Sequence, residues 1–227
     1  MGRAVKIRYL GHAAFEIRTE EKIILIDPFL EGNPRACARA EDFEKVDLIF
    51  VTHAHADHLG DAVEIAKRTN AKVVCMYDIA QYLSEKFGVE TIGMNYGYTR
   101  IDGVEVIMVP AWHSSSFEGK MLGNSCGFII GAEGKRVYHA GDTCVFGDMK
   151  LFAELYPIDI ALLPIGGHFT MDVKQAVKAC ELLKPKMVIP MHYNTWPVIR
   201  AEPEKLREVE KSGIEVRILE PGEEVEV

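Results

Sequence analysis

Short apolar runs and longer amphipathic stretches alternate along the chain. Residues 5–10, 14–18 and 22–26 are short, rich in Val, Ile and aromatic residues, and broken by charged residues at 19–21, which predicts three strands. Residues 31–45 are polar and aperiodic, a long loop of the kind that often lines a site. The continuous apolar run 46–52 suits a strand buried on both faces. In 59–68, Leu59, Ala62, Val63 and Ala66 share one side of a helix. A strand at 72–76 and a helix at 79–87 follow, with Gly88 as its C-terminal cap. Strands are expected at 104–109, 125–130 and 136–140, and a short helix at 149–155. A buried strand at 158–163 leads to a helix at 172–183, opened by Asp172-x-x-Gln175 and closed by Pro185. The chain ends with a strand at 187–191, a helix at 203–211 with Gly213 after it, a strand at 214–219 and another near Val225.

No low-complexity segment or Gly/Ser/Pro linker interrupts this order, so 1–227 reads as one domain. The runs 46–51 and 158–163 resemble each other, and each precedes a His-containing loop, a helix and a strand. Any two βαβ units share that outline. If the halves are related, both loops fall at the carboxyl ends of strands, where ligands collect in α/β folds.

Composition narrows the partners. Hydrophobic residues make up 48% of 227, enough for a full core without disulfides. A formal charge of -8 argues against an extended nucleic-acid surface. No apolar run approaches the roughly 20 residues of a membrane span, and the start Met1-Gly2-Arg3-Ala4-Val5 lacks an export signal. The five cysteines have no C-x-x-C pair, and Cys75, Cys126 and Cys180 sit in apolar or periodic stretches. They read as reduced thiols of a soluble cytoplasmic protein.

The chemistry lies in Thr52-His53-Ala54-His55-Ala56-Asp57-His58-Leu59-Gly60. In an extended exit from the strand, residues i and i+2 point the same way, so His53 and His55 can share a metal. Asp57 and His58 sit where the chain turns into the helix expected from Leu59, an offset that suits a second, adjacent metal. Imidazole and carboxylate are ligands for Zn²⁺ and related divalent ions. Further ligands must come from other strand ends, where His113, Asp142 and His192 stand. Each alone would more often be a capping or core polar residue.

This run resembles the defining motif of the metallo-β-lactamase superfamily. His113, Gly141-Asp142-Thr143 and His192 are similar to that superfamily's remaining ligand motifs, in the same order. Leu10-Gly11-His12-Ala13-Ala14-Phe15 and Ile26-Asp27-Pro28 resemble the branch containing ascorbate-6-phosphate lactonase. Gly166-Gly167-His168-Phe169-Thr170-Met171-Asp172 and Met191-His192-Tyr193-Asn194-Thr195 look like signatures of its small metal-dependent hydrolases. The resemblance implies a four-layer αββα sandwich of two mixed sheets flanked by helices. It implies His53, His55 and His113 on one metal, Asp57, His58 and His192 on the other, and Asp142 bridging. Zinc is the first choice of metal, with Mn, Ni or Fe as alternatives.

Two divalent ions roughly 3.5–4 Å apart make a bridging hydroxide available near neutral pH. The expected reaction is hydrolysis of a small anionic ester, lactone or phosphodiester, with Asp57 also accepting a proton. A helix N-terminus near Leu59 would favour an anion. Competing readings are a nuclease or phosphodiesterase acting on nucleic acid, and a non-catalytic metal-binding protein. Di-iron flavoprotein oxidoreductases resemble the motif but carry Glu at the place of His55. A homo-oligomer stays open.

Four more residues have two readings each. His12 either reaches the site or bonds the next turn. His139 is one strand step out of phase with Asp142 and suits a supporting role. Trp112 reads as packing beside the His113 loop. His168 follows two glycines that permit close approach to a ligand; it either caps its loop or acts on a substrate oxyanion or leaving group.

Overall fold

The computed structural model describes residues 4–227. Residues 1–3, which belong to the start read above as lacking an export signal, lie outside them. The chain first builds β1 (Lys6–Gly11), β2 (Ala14–Arg18), β3 (Ile23–Ile26), β4 (Leu48–Val51), β5 (Lys72–Met76) and β6 (Thr91–Met94). The first three pair antiparallel, and β3 to β6 pair parallel. The second sheet holds β7 (Gly97–Ile101) and β8 (Val104–Pro110). After a small hairpin, β9 (Ser116–Phe117) with β10 (Lys120–Met121), it continues through β11 (Cys126–Ala132), β12 (Lys135–His139), β13 (Ile160–Pro164), β14 (Met187–Met191) and β15 (Glu215–Val216). Strands β12 to β15 are parallel. The last strand, β16 (Glu224–Glu226), returns to pair with β1 and completes seven strands in each sheet.

The helices are α1 (Ala56–Leu59), α2 (Ala62–Thr69), α3 (Tyr77–Phe87), α4 (Met149–Leu155) and α5 (Val173–Leu183). The period of two along each strand makes the layers. Val106, Met108, Phe128, Ile130, Leu162 and Ile189 share a core with the first sheet, where Phe128 meets Phe50 edge-on at 5.0 Å. Their alternates Ile107, Ile129, Tyr138, Ala161 and Leu163 pack with Met149, Phe152, Ala176 and Cys180 of α4 and α5. Helices α2 and α3 bury Ile65, Ala66, Ile79 and Leu83 into the core of the first sheet. The result is the expected arrangement of two mixed sheets flanked by helices.

The expected helix over 59–68 is two helices. Gly60 takes φ 44°, and a Cβ there would stand 2.5 Å from Pro28 O. The chain breaks at this close approach, so Asp57 and His58 ride on the single turn α1. Helix α2 starts beyond it, and Asp61, just before it, turns its carboxylate to the N–H groups of Leu30 and Glu31. No longer helix therefore begins at Leu59, and the expected helix-dipole contribution falls away.

Strands β6 and β7 lie in a stretch not read as strand, where Ile92 and Met94 pack partly buried on the core but Gly93 and the exposed Gly97, Tyr98 and Arg100 interrupt the pattern. The last helix is a 3-10 segment, Pro203–Ser212, and the strand after it shrinks to β15. Asp172 caps α5 by accepting from Gln175 N at 2.8 Å, while Gln175 Oε1 accepts from Val145 N instead of closing a capping box. The similar runs become β4 and β13, each leading through a helix to a parallel neighbour, one unit in each sheet. Among the described residues no helix is long and apolar enough to cross a membrane.

Candidate metal centre

The ends of parallel strands in the two sheets meet at one edge, tied by His192 N donating to His12 O (2.7 Å) and Cys126 N to Thr52 O (3.0 Å). There the structure gathers the other six expected ligands around Asp142. Single ligand atoms of His53, His55 and His113 lie within 4.8 Å of one another. His53 Nε2 and His113 Nε2 are 3.9 and 3.5 Å from Asp142 Oδ2. On the other side, His58 Nε2 is 3.1 Å from Asp142 Oδ1, and His192 Nε2 is 3.2 Å from Oδ2. Asp57 Oδ2 stands 3.8 Å from His58 Nε2 and 3.6 Å from His192 Nε2.

His12 belongs to the same cluster. It is buried, with Nε2 3.1 Å from Asp57 Oδ2 and Nδ1 2.8 Å from Thr195 Oγ1. Sequence reasoning left its place open because the pairing with Asp57 exists only after the strand ends meet.

Asp27 organises both halves, a role that sequence reasoning missed. It is fully buried at a left-handed φ of 44°. It accepts from Thr52 N (2.8 Å) and Thr52 Oγ1 (2.7 Å), and its Oδ2 is 2.7 Å from His58 Nδ1. Thr52 Oγ1, having spent its proton on Asp27, accepts from His53 Nδ1 at 3.0 Å. In the neutral form both imidazoles are thus assigned the Nδ1–H tautomer, which leaves their Nε2 lone pairs facing Asp142. The available signal was an Asp-Pro pair ending a strand beside the ligand strand.

His139 takes the supporting role expected of it. Its Nε2 donates to Ala13 O (2.9 Å) and its Nδ1 accepts from Gly141 N (3.1 Å), so it anchors the turn into Asp142. Trp112 departs from expectation. Its backbone N–H is held by Thr143 Oγ1, which fixes the loop but leaves the indole 68% exposed beside Phe146. His168 is not brought into the cluster. It is exposed at φ 57°, stacks edge-on against Phe169, and makes no hydrogen bond or ion pair among the described residues. Its loop is tied to the Asp142 loop by Met171 N donating to Thr143 O at 3.0 Å.

The protein's own charges shape these groups unequally. Burial and the neighbouring His58 hold His53 well below the usual imidazole range. Burial opposes charge on His192, but Asp142 and Asp57 raise it to about 9. His58 is raised in the same way, against burial, by Asp142, Asp27 and Asp57. Burial lowers His12 to about 4. Asp142 is buried, yet His192 and His58 keep its carboxyl well below the usual range.

The donor set fits divalent cations. His58 Nε2, Asp142 Oδ1 and both ring nitrogens of His192 are buried without a hydrogen-bond partner. His58 Nε2 and Asp142 Oδ1 are close in space but misdirected for a hydrogen bond. Buried polar atoms are rarely left so, and nitrogen and oxygen lone pairs converging on one space suit borderline metals.

Face-to-face sheets with histidines and aspartates gathered at their strand ends define the class of metallo-β-lactamase-fold hydrolases. The profile described as Beta-lactamase superfamily domain matches residues 22–193, and the chain belongs to that superfamily. It is 63% identical over 225 residues to a UPF0173 metal-dependent hydrolase of Pyrococcus abyssi, covering 98% of this chain and 100% of that protein. The solved structure of Igni18, a metallo hydrolase from Ignicoccus hospitalis, is 45% identical with a TM-score of 0.91, covering 99% of this chain and 98% of that one. The metallo-beta-lactamase fold protein YhfI from Bacillus subtilis, at 13% identity and a TM-score of 0.75, shares the fold over 99% of this chain and 100% of its own.

Proposed function

We propose that this metal-dependent hydrolase holds two divalent cations, zinc foremost, and cleaves a small anionic ester, lactone or phosphodiester. The observation that supports it most is Asp142, whose carboxylate lies 3.1 to 3.5 Å from His58, His192 and His113. One carboxylate shared by two histidine groups is suited to two ions side by side. His53, His55 and His113 would hold one, Asp57, His58 and His192 the other, and Asp142 both. Bound there, two cations lower the pKa of a water between them and polarise the oxygen that gains charge.

The chain's own residues supply orientation and proton handling. Asp27 and Thr52 fix the tautomers of His58 and His53. Burial works against ionisation of Asp57, but His58, His12 and His192 hold it as a carboxylate, the form that can ligate a cation; as so weak a base it would only relay a proton as the nucleophile forms. At 28% side-chain exposure it is also open enough to face a substrate. His168, on the loop tied to Thr143, is the candidate to protonate the leaving group. The test is metal analysis after reconstitution, with a panel of chromogenic esters, lactones and phosphodiesters. Two equivalents and a turnover abolished by chelation are expected. Trace metal only, or metal without turnover of any class, overturns the reading.

A further inference from the structure

The segment after His192 closes on itself. Asn194 N donates to Ile199 O (2.9 Å), Ala201 N donates to Asn194 Oδ1 (3.0 Å), and a 3-10 turn, Pro197–Ile199, lies between. A loop that starts at a candidate ligand thus carries Trp196 and Arg200 in a fixed frame. Beside it lies a groove of about 530 Å³, lined among others by Arg35, Thr195, Trp196, Arg200 and Glu202. Two residues of its lining, Thr195 and Trp196, pack on the buried His12, which in turn meets Asp57 of the cluster. Thr195 Oγ1 is 2.8 Å from His12 Nδ1, and the Trp196 ring is 4.9 Å from the His12 ring and 6.1 Å from Phe29.

The charges of the groove are not balanced internally. Glu202 is paired with Lys205 at 2.8 Å, and Arg35 with the exposed Glu220 at 2.7 Å. Arg200 is exposed and has no hydrogen bond or ion pair among the described residues. On a chain of formal charge -8, an uncommitted guanidinium in a groove whose lining also packs on His12 offers a site for an anion.

We infer that this groove is an oxyanion subsite, taking a carboxylate or phosphate carried on the substrate away from the bond that is cleaved. The planar guanidinium fork of Arg200 binds the oxyanion, with Arg35 on the groove lining adding positive charge, and Trp196 covers the carbon chain that leads to the metals. The subsite would give the hydrolase a preference for bifunctional substrates, a statement that rests on the hydrolase reading.

The test separates the two. Trp112→Phe leaves Trp196 as the sole tryptophan of the two in the chain. Its fluorescence in the metal-loaded protein is titrated with inorganic phosphate and with succinate, at ionic strength held constant by chloride. A saturable response to either anion is expected, weakened at least tenfold by Arg200→Ala and partly restored by Arg200→Lys. The anion that saturates at lower concentration identifies the natural group. No response to either anion, or an unchanged one in Arg200→Ala, overturns the subsite; binding at the metals alone would survive that substitution. A second arm compares p-nitrophenyl acetate with mono-p-nitrophenyl glutarate. Arg200→Ala is expected to raise KM for the glutarate at least tenfold relative to the acetate, with a smaller change in kcat. An equal effect on both esters counts against the subsite. If neither ester turns over, it is the hydrolase reading that suffers, and the fluorescence titration still decides the subsite.

Discussion

Replacing Asp27 by Asn exchanges one oxygen for an amide nitrogen behind the candidate ligand His58, and is expected to weaken metal binding. Asp27 is fully buried and meets three donors: Thr52 N at 2.8 Å, Thr52 Oγ1 at 2.7 Å and His58 Nδ1 at 2.7 Å. In Asp27→Asn, if the amide oxygen stays on Thr52 N, the amide nitrogen faces the other two donors. His58 satisfies it only by becoming an acceptor at Nδ1, which moves its proton to Nε2. That is the atom 3.1 Å from Asp142, and a proton there blocks it as a ligand. Thr52, losing its acceptor, can donate to His53 Nδ1 and push that ring toward the same wrong tautomer. If the amide flips instead, its nitrogen confronts Thr52 N–H and leaves a buried donor unpaired. Loss of such an orienting partner typically weakens metal affinity about 10–100-fold, or roughly 1.4–2.7 kcal/mol at 1.36 per decade. Losing a hydrogen bond to a charged group costs the fold about 1.5–3 kcal/mol, some 3–12 °C in Tm at roughly 2–4 °C per kcal/mol for a chain of this size. Competition with a chromogenic chelator measures the zinc affinities, and calorimetry in EDTA isolates the fold. If Asp27→Asn binds two equivalents with wild-type affinity, the tautomer argument is wrong, whatever the melting temperature does.

Asp142→Ala is expected to weaken both metal equivalents and abolish turnover while far-UV circular dichroism stays native; retained activity would remove Asp142 from its shared position. Gly60→Ala forces a Cβ to within 2.5 Å of Pro28 O at φ 44°, so a loss of about 2 kcal/mol or more is expected in denaturant unfolding, and a neutral result would refute the steric reading. His192 stands at about 9 on the protein's own charges, so at pH 7 it must give up a proton to ligate. Metal uptake is therefore expected to release protons and to tighten as pH rises toward 9, which calorimetry in two buffers of different ionisation enthalpy reads directly. His168→Ala is expected to keep both metals and lower turnover roughly 10²-fold; a normal rate removes His168 from the mechanism.

The layers of the fold were legible because burial imposes the period of two on strands and places 104–109, 125–130 and 158–163 in order. What escaped was set by contacts between distant segments. The break at Gly60 comes from the backbone of Pro28 and Phe29, and within 59–68 only the glycine itself hints at it. Strands β6 and β7 leave only a short trace, Ile92 and Met94 in one and Ile101 in the other, among glycines and exposed positions, so strand pairing rather than a local pattern defines them. Trp112 reads by type as a packing residue beside the His113 loop, but a backbone hydrogen bond to Thr143 fixes that loop with the residue mostly exposed.

The site divides along the same line. Its candidate ligands are legible because metal chemistry demands particular side chains and local geometry demands their spacing, so His53, His55, Asp57 and His58 sit together in the text of the chain. The atoms that aim them are not. Asp27 and Thr52 are ordinary residues at the ends of neighbouring strands, and their function arises only when the parallel pairing of β3 and β4 sets one beside the other. The same holds for His12, whose turn after β1 meets Asp57 beyond β4, three strands away in the sheet. A motif therefore reports which atoms can bind a cation, whereas the tautomer and direction of those atoms are properties of the sheet. Two chains with the same ligand run but different residues at the end of β3 should differ in metal affinity and in the pH at which metal binds. Exchange of the residue at position 27 alone is enough to test that dependence.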